Sequence, residues 1–315
     1  MTSTPSDQTS SPAAPDQQPL RDESCCSNCA SKDRAALPHM DHFVFAIGKL
    51  DVKFPNIGLE REFQRAALRS GATTGARCER LAAVLRSHRH IASRICPLLL
   101  VGGIPVYVIA PAAAYVRDAL IEALAANDSG DQWVVVSGRL GPPCRPTDCG
   151  GVVAPVVACD ELYSFTVQQW SKDLTEALQP AIKAKRATDQ TLVRAAKEVF
   201  STVVSSAENA GASEQHRALN YALVRHPGIF LTVAERSDRA VLDKIETRML
   251  PSFASRRQVG IVFTFVDNTT GVAERLFCRI DVTDEWPFVA GSSDGGPGPL
   301  GLAPFVENDI IGPVF

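Results

Sequence analysis

The feature that most constrains the fold is a long uncharged stretch, residues 95–116. A helix of about 20 apolar residues can cross a bilayer. Three prolines and the Gly102-Gly103 pair would break such a helix, and broken backbone hydrogen bonds are costly in lipid. Residues 98–101 and 104–109 instead flank the glycine pair as the strands of a β-hairpin would. The stretch therefore predicts a hairpin and no membrane span.

Other segments show the patterns of both helices and strands. Residues 190–210 place apolar side chains at the i, i+3, i+4, i+7 spacing of an amphipathic helix, and Ser213 is a suitable N-cap for the next helix. Residues 259–266 and 272–282 predict two long antiparallel strands, whose edges could either pair with a second copy or be covered within the chain. The predicted class is α+β, with antiparallel strands and hairpins beside a helical half.

Composition divides the chain into three parts. Residues 1–39 are polar and contain prolines, and residues 291–315 are rich in Gly and Pro. Neither part can bury enough apolar surface to offset the entropy of ordering, so we expect disordered tails. The folded module is predicted at residues 40–290, divisible into halves at 40–187 and 188–290.

Charge and cysteine usage limit the partners and the compartment. The chain has 32 Lys and Arg against 35 Asp and Glu, and its net charge of −3 gives nucleic acid no general attraction. Nine cysteines, an odd number without the density of a disulfide scaffold, predict reduced thiols and a cytoplasmic protein. The first 25 residues show no secretory signal.

Catalytic motifs are present only in unsuitable contexts. Residues 291–295 fit G-x-S-x-G and residues 296–301 fit G-x-G-x-x-G, but no helix follows and prolines forbid the required turns. Cys26 and Cys29 have C-x-x-C spacing without a second pair to complete a zinc site. We expect none of the three to be functional.

Cysteines outside the N-terminal tail could form a structural zinc site with one histidine. Thiolate and imidazole ligands in a tetrahedral set would join a long loop to the helical half. The alternative is that the cysteines are buried as small apolar residues and that the histidine is only hydrogen-bonded. A Cys–His nucleophile pair is also possible from these residues, but no third, orienting group is evident. The candidates are Cys96, Cys144, Cys149 and His216.

Four long strings resemble one known family over residues 42–290. They are "FAIGKLDVKFPNIGLEREFQ", "GGVVAPVVACDELYSF", "AENAGASEQHRALNYALVRHPGIF" and "RIDVTDEWPF". The family is the C-terminal domain of unknown function in cyanobactin maturation proteases of the PatA/PatG type. The resemblance implies that Cys96, Cys149 and His216 are the metal candidates, since the family pattern has Cys, Cys and His in the matching segments. It departs at Cys96-Pro97, where the family tends to have Cys-Trp.

The resemblance also implies a function. The subtilisin-like protease domain that precedes this module in the family is missing from the sequence, so no catalytic machinery is inherited. Stand-alone members occur in pathways for ribosomally made, modified peptides, including crocagin-type pathways, where they look like dimeric precursor-peptide binders that assist neighbouring enzymes. We therefore expect a non-catalytic homodimer that binds a precursor peptide and presents it to modification enzymes.

An extended peptide could pair with an exposed strand edge, with aromatic and Arg side chains as anchors. Five residues are candidates for the walls of such a peptide-binding site: Tyr163, Phe165, Arg217, Asn220 and Tyr221. Each of them could equally pack in the core, and core packing is the favoured interpretation for Asn220 and Tyr221.

Two alternatives to peptide presentation remain open. One is a peptide cyclase or hydrolase that uses Cys149 or a metal-bound water near His216. The other is a structural subunit that only stabilises a partner enzyme.

Overall fold

The computed structural model of the chain describes residues 42–71, 76–127, 130–205, 209–251, 256–290 and 302–305. The described residues belong to one compact unit, Asp41–Phe315. Within these ranges the chain forms nine α-helices and two mostly antiparallel sheets, which confirms the predicted α+β class. The predicted disorder of residues 1–39 lies outside the described residues.

Strands and helices alternate in the first half of the chain, and helices precede the second sheet. In chain order the elements are β1 (Phe43–Lys53), α1 (Ile57–Arg69), α2 (Arg77–Ser87), α3 (Arg89–Ala92), β2 (Cys96–Val101), β3 (Ile104–Pro111), α4 (Ala114–Ala126), β4 (Gln132–Pro143), β5 (Pro155–Thr166), α5 (Val167–Ala177), α6 (Gln179–Lys183), α7 (Asp189–Val204), α8 (Glu214–Arg225), α9 (Pro227–Arg236), β6 (Ala240–Met249), β7 (Gln258–Asp267), β8 (Ala273–Asp281), β9 (Phe288–Val289) and β10 (Ala303–Pro304).

Five strands close into a barrel in the order β1-β2-β3-β5-β4. Neighbouring strands are antiparallel except β3 and β5, which run parallel with Val108 opposite Val156. Closure is completed by β4, whose Arg139 lies opposite Phe43 of β1. A closed barrel leaves no strand edge for another chain to pair with. Helices α2 and α4 pack against each other beside the barrel and share its apolar core.

The second sheet has the strand order β10-β8-β7-β6, with β9 also paired to β8. Helices α8 and α9 pack against this sheet, and α7 packs against both of these helices. Alternate residues of β7 from Val259 to Phe265 belong to the same apolar core as Phe200 of α7 and Phe230 of α9. The intervening residues are buried too, so both faces of this central strand are covered. Strand β7 lies between β6 and β8, so the edges of residues 259–266 are covered within the chain, as the second of the two alternatives has it. The outermost strand on that side is β6.

Most local predictions are confirmed. The glycine pair turns a β2–β3 hairpin, with φ angles of 57° and 82° at Gly102 and Gly103. Ser213 caps α8 by accepting a hydrogen bond from the backbone N–H of His216 at 3.1 Å. None of the helices in the described ranges has both the length and the apolar composition needed to span a membrane.

The structure departs from the sequence predictions at three places. The helix predicted to start at residue 190 ends at Val204. The apolar spacing over residues 74–95 predicts one helix. In the described part, 76–95, α2 ends and α3 begins at His88, where φ is −123° and ψ is 75°. Residues 302–305, placed in the disordered tail by composition, include β10, which gains its order by pairing with β8. The rest of 291–315 lies outside the described residues.

Candidate functional site

Two of the five predicted peptide-binding residues are buried at a junction. Arg217 is 2% exposed, and its guanidinium donates to the carbonyl oxygens of Val282, Asp284 and Glu285 at 3.0, 2.5 and 2.9 Å. Burial lowers the pKa of Arg217 to about 10. Because Nη1 and Nη2 donate to three backbone acceptors, buried Arg217 links α8 to the chain after β8 and does not line an open peptide site.

Asn220, one turn further along α8, has an equally internal role. It is 1% exposed, donates from Nδ2 to the carbonyl oxygen of Phe45 at 2.9 Å, and accepts from Nδ2 of Asn209 at 2.6 Å. These contacts join α8 to barrel strand β1. Asn220 is therefore buried in the junction, in agreement with the core interpretation, and a part for it in peptide binding stays a prediction.

The three predicted aromatic residues are half-buried against the same core. Tyr221 packs edge-on to Phe45, with ring centroids 5.7 Å apart. The guanidinium carbon of Arg225 lies over the ring of Tyr163, 5.0 Å from the ring centroid. Phe165 contacts the aromatic cluster around Phe200 at 5.9 Å. Together with Arg217 and Asn220 they form a packed junction between the barrel and the helices of the second half.

The predicted metal ligands are not brought together. Cys96 and Cys149 form a disulfide, with Cα atoms 5.6 Å apart, because β2 begins beside the loop that follows β4. Cys96 lies opposite Lys53 on β1, whereas α8 meets β1 at Phe45, eight positions or about 26 Å away along the strand. His216 on α8 is therefore remote from both sulfurs. Across the described ranges, no three His, Cys, Asp or Glu side chains are grouped to hold a metal.

The disulfide also changes the expected chemistry of the cysteines. It departs from the expectation of reduced thiols, and while bonded Cys149 offers no thiolate nucleophile. Cys159 and Cys278 are buried among apolar side chains, and burial raises the pKa of each to about 12. Neither is activated as a nucleophile at neutral pH.

The open feature of the second sheet is the outer edge of β6. β6 hydrogen-bonds to β7 on one side, from Ala240 opposite Asp267 to Met249 opposite Val259, and no described strand pairs with its other side. The register shifts between Leu242 and Lys244, so the regular part of the edge is Lys244–Met249. Backbone N–H and C=O groups along this edge are available to an extended chain.

Comparison with known proteins places the second half of the chain in a family. The family model described as PatG C-terminal matches residues 186–294. These residues belong to the PatG C-terminal family. A solved structure titled "PatG Domain of Unknown Function" matches with a TM-score of 0.57 and 18% identity, covering 80% of this chain and 97% of that chain. The structural likeness shows a shared fold that includes the barrel half. Comparison with curated proteins gives no match.

The PatG C-terminal match contains helices α7, α8 and α9 and the whole of β6. The sequence patterns did not predict β6. Leu242 and Ile245 pack against the core, but the extra residue Asp243 at the register shift interrupts their alternation. A search for strands that allowed one inserted residue could have found β6, but its position at the edge depends on the order of the sheet.

Proposed function

We propose that this chain binds a precursor peptide in the biosynthesis of a ribosomally made, modified peptide and presents it to the modification enzymes. The family match supports a role in a cyanobactin-type pathway. The observation that carries the binding proposal is the outer edge of β6, where main-chain groups of the described sheet are unpaired. An extended peptide would add to this edge as a further strand.

Strand addition suits a protein that must hold peptides of varied sequence. Main-chain hydrogen bonds provide affinity whatever the side chains are, and neighbouring side chains provide selectivity. The regular run Lys244–Met249 spans about 20 Å, enough for roughly six peptide residues. Val241, which precedes the register shift, and Met249, at the end of the run, are 54% and 42% exposed and offer apolar contacts to the peptide.

Charged side chains on β6 are compatible with this use. Lys244 and Glu246 form an ion pair at 2.9 Å, and the hydrogen bond from Lys244 lowers the pKa of Glu246. Charges and a bulge on an edge strand oppose pairing with arbitrary chains. The β6 edge is thus protected against aggregation, while its main chain stays open to a peptide of complementary charge.

The homodimer and the cytoplasmic location are also proposals, supported by the resemblance and the composition. A second copy paired along β6 would compete with the peptide for the same edge, so a functional dimer must use another surface. Gel filtration with light scattering, with and without peptide, measures the oligomeric state.

Calorimetry and hydrogen exchange test the binding proposal together. The probe is the unmodified precursor peptide encoded in the same gene cluster, titrated into the full chain. We expect heat of binding and slowed amide exchange along Lys244–Met249. No heat and no protection at micromolar concentrations would refute the proposal, as would protection confined to another element.

Matched variants locate the site. Val241→Asp with Met249→Asp should weaken binding about tenfold, because two exposed apolar contacts are replaced by charge. The control, Val153→Asp with Val272→Asp, changes two equally exposed valines away from β6 and should bind normally. Mass spectrometry of the peptide after incubation with the chain alone distinguishes presentation from the cyclase or hydrolase alternative, which requires a mass change or cleavage.

A further inference from the structure

We infer that the groove between α1 and α2 binds a second segment of the same precursor peptide, folded as an acidic amphipathic helix. The inference rests on the proposed function for its occupant. The chemistry expected of the occupant follows from the shape, the apolar lining and the charge of the groove. The groove lies on the same half of the chain as the barrel and shares no residue with β6.

The groove exists because α1 has few buried anchors. Leu59 and Ala66 are its buried residues, which leaves Phe63 and Ala67 facing the space between α1 and α2. The hollow has a volume of about 600 Å³, within the range of natural ligand sites. Its lining consists of Val52, Phe54, Glu60, Phe63, Gln64, Ala67, Leu68, Arg77, Arg80 and Leu81.

Apolar side chains form the floor and one lip of the groove. The ring centroids of Phe54 and Phe63 lie 5.2 Å apart at the floor of the groove. Val52, near the end of β1, lines the groove beside them. Leu68 is 69% exposed at the lip, an unfavourable position for a leucine in water unless another apolar surface covers it. Apolar side chains spaced i, i+3, i+4 and i+7 on a helix would fit such a groove.

The charge around the groove selects an acidic partner. Residues 57–94 contain eight Arg, three Glu and neither Lys nor Asp, so they carry a formal charge of +5 in a chain whose net charge is −3. Arg86 pairs with Glu122, but no described acidic side chain forms an ion pair with Arg77 or Arg80 at the groove. Carboxylates on a bound helix would supply the missing partners.

A helix fits this groove better than an extended strand. Both walls are helices whose backbone groups are bonded internally, so the groove has no strand edge and binding must come from side chains. A long flexible precursor can supply a helical segment here and an extended one at β6. Holding one chain at two places raises the effective concentration of the second segment at its site.

Fluorescence anisotropy with charge-matched peptides tests the groove directly. The probe is a labelled amphipathic helix of about 15 residues with a Leu face and Glu elsewhere, compared with the same peptide carrying Lys in place of Glu. Arg77→Glu with Arg80→Glu should weaken the acidic peptide at least tenfold and strengthen the basic one. The strengthening is a reversal that a merely misfolded variant would not show.

The control is Arg89→Glu with Arg94→Glu. It makes the same charge change within the basic segment 57–94, at two exposed residues that do not line the groove. We expect it to bind the acidic peptide nearly as well as the native chain. Equal weakening by both double variants would show that the peptide is attracted to the whole basic segment 57–94, and it would refute the groove as the binding site. No loss in the groove variant, or no gain for the basic peptide, would overturn it as well.

The precursor peptide then separates this inference from the proposed function. Its affinity should fall in the Arg77→Glu, Arg80→Glu variant while amide protection along β6 persists at saturation. Protection at β6 with unchanged affinity would overturn the groove as a second site and leave the proposed function standing. Binding of the designed acidic helix without any binding of the precursor would overturn the proposed function and the assigned occupant together.

Discussion

Asn220 of α8 donates a hydrogen bond to the carbonyl oxygen of Phe45 in the first barrel strand, across 175 positions of sequence. The same asparagine accepts from Asn209, and the N–H of Phe45 donates to the carbonyl oxygen of Gly211 at 2.9 Å. The PatG C-terminal half is thus fastened to the barrel by polar groups that the core excludes from water. Buried networks of this kind are costly when one member is removed.

Replacing Asn220 by Ala should therefore destabilise the whole unit. The change leaves the side chain of Asn209 without its acceptor and the Phe45 carbonyl without its donor, and we expect a loss of about 2 kcal/mol in the free energy of unfolding. Urea denaturation measures it. Gln168→Ala, at an exposed position of α5, is the control and should change stability by less than about 0.5 kcal/mol. Equal effects would show that Asn220 is not a key contact.

Gly211 should not tolerate a side chain. Its φ is +74°, and a Cβ there would lie 2.4 Å from the carbonyl oxygen of Phe45. Gly211→Ala should cost more than about 2 kcal/mol, since the clash adds to the strain of the left-handed conformation. Gly271 has a similar φ of +68° but open space around it, so Gly271→Ala isolates the strain alone. Similar thermal shifts in the two variants would argue against the close approach.

Substituting Glu285 should alter the pH dependence of stability. Burial, then the neighbouring Asp160 carboxyl, raises the pKa of Glu285 above its usual value, although Arg139 at 3.5 Å opposes the shift. A raised pKa means that the folded state binds more protons than the unfolded state just above pH 4.5, so this group's contribution falls as the pH rises through that window. Glu285→Gln should remove that fall and be at least as stable as the native chain at pH 7.

Urea midpoints between pH 4 and 7 measure this effect. Asp284→Asn is the control, because Asp284 is the adjacent carboxylate and its side chain is 71% exposed. A lower stability of Glu285→Gln at pH 7 would mean that the contact with Arg139 outweighs the repulsion and burial.

Reduction of the Cys96–Cys149 disulfide should lower stability. The cross-link spans 53 positions, for which the chain-entropy relation gives about 4 kcal/mol. Denaturation with and without reductant measures the difference, and the Cys96→Ser, Cys149→Ser variant should show no response to reductant. Peptide mapping without reductant should recover the two segments as one linked fragment, and their recovery as separate thiols would contradict the pairing.

The sequence by itself determined the local elements. The Gly102-Gly103 hairpin and the Ser213 cap follow from preferences of a few neighbouring residues, and each lies where the pattern predicted it. The resemblance likewise depended on contiguous strings and was confirmed over residues 186–294. Such features need no knowledge of distant contacts, because backbone conformation and turn chemistry are decided within one or two turns.

Tertiary structure alone decided which residues are accessible. Arg217 has the residue type of an interface anchor but is buried because α8 packs between β1 and the chain after β8. Cys149 bonds to Cys96 and lies far from His216, because the pairing of β1 with β2 places Cys96 at the end of the barrel away from α8. β6 became an open edge only through the order of its sheet. Strand order and register join residues far apart in sequence, so local patterns contain too little information to fix them.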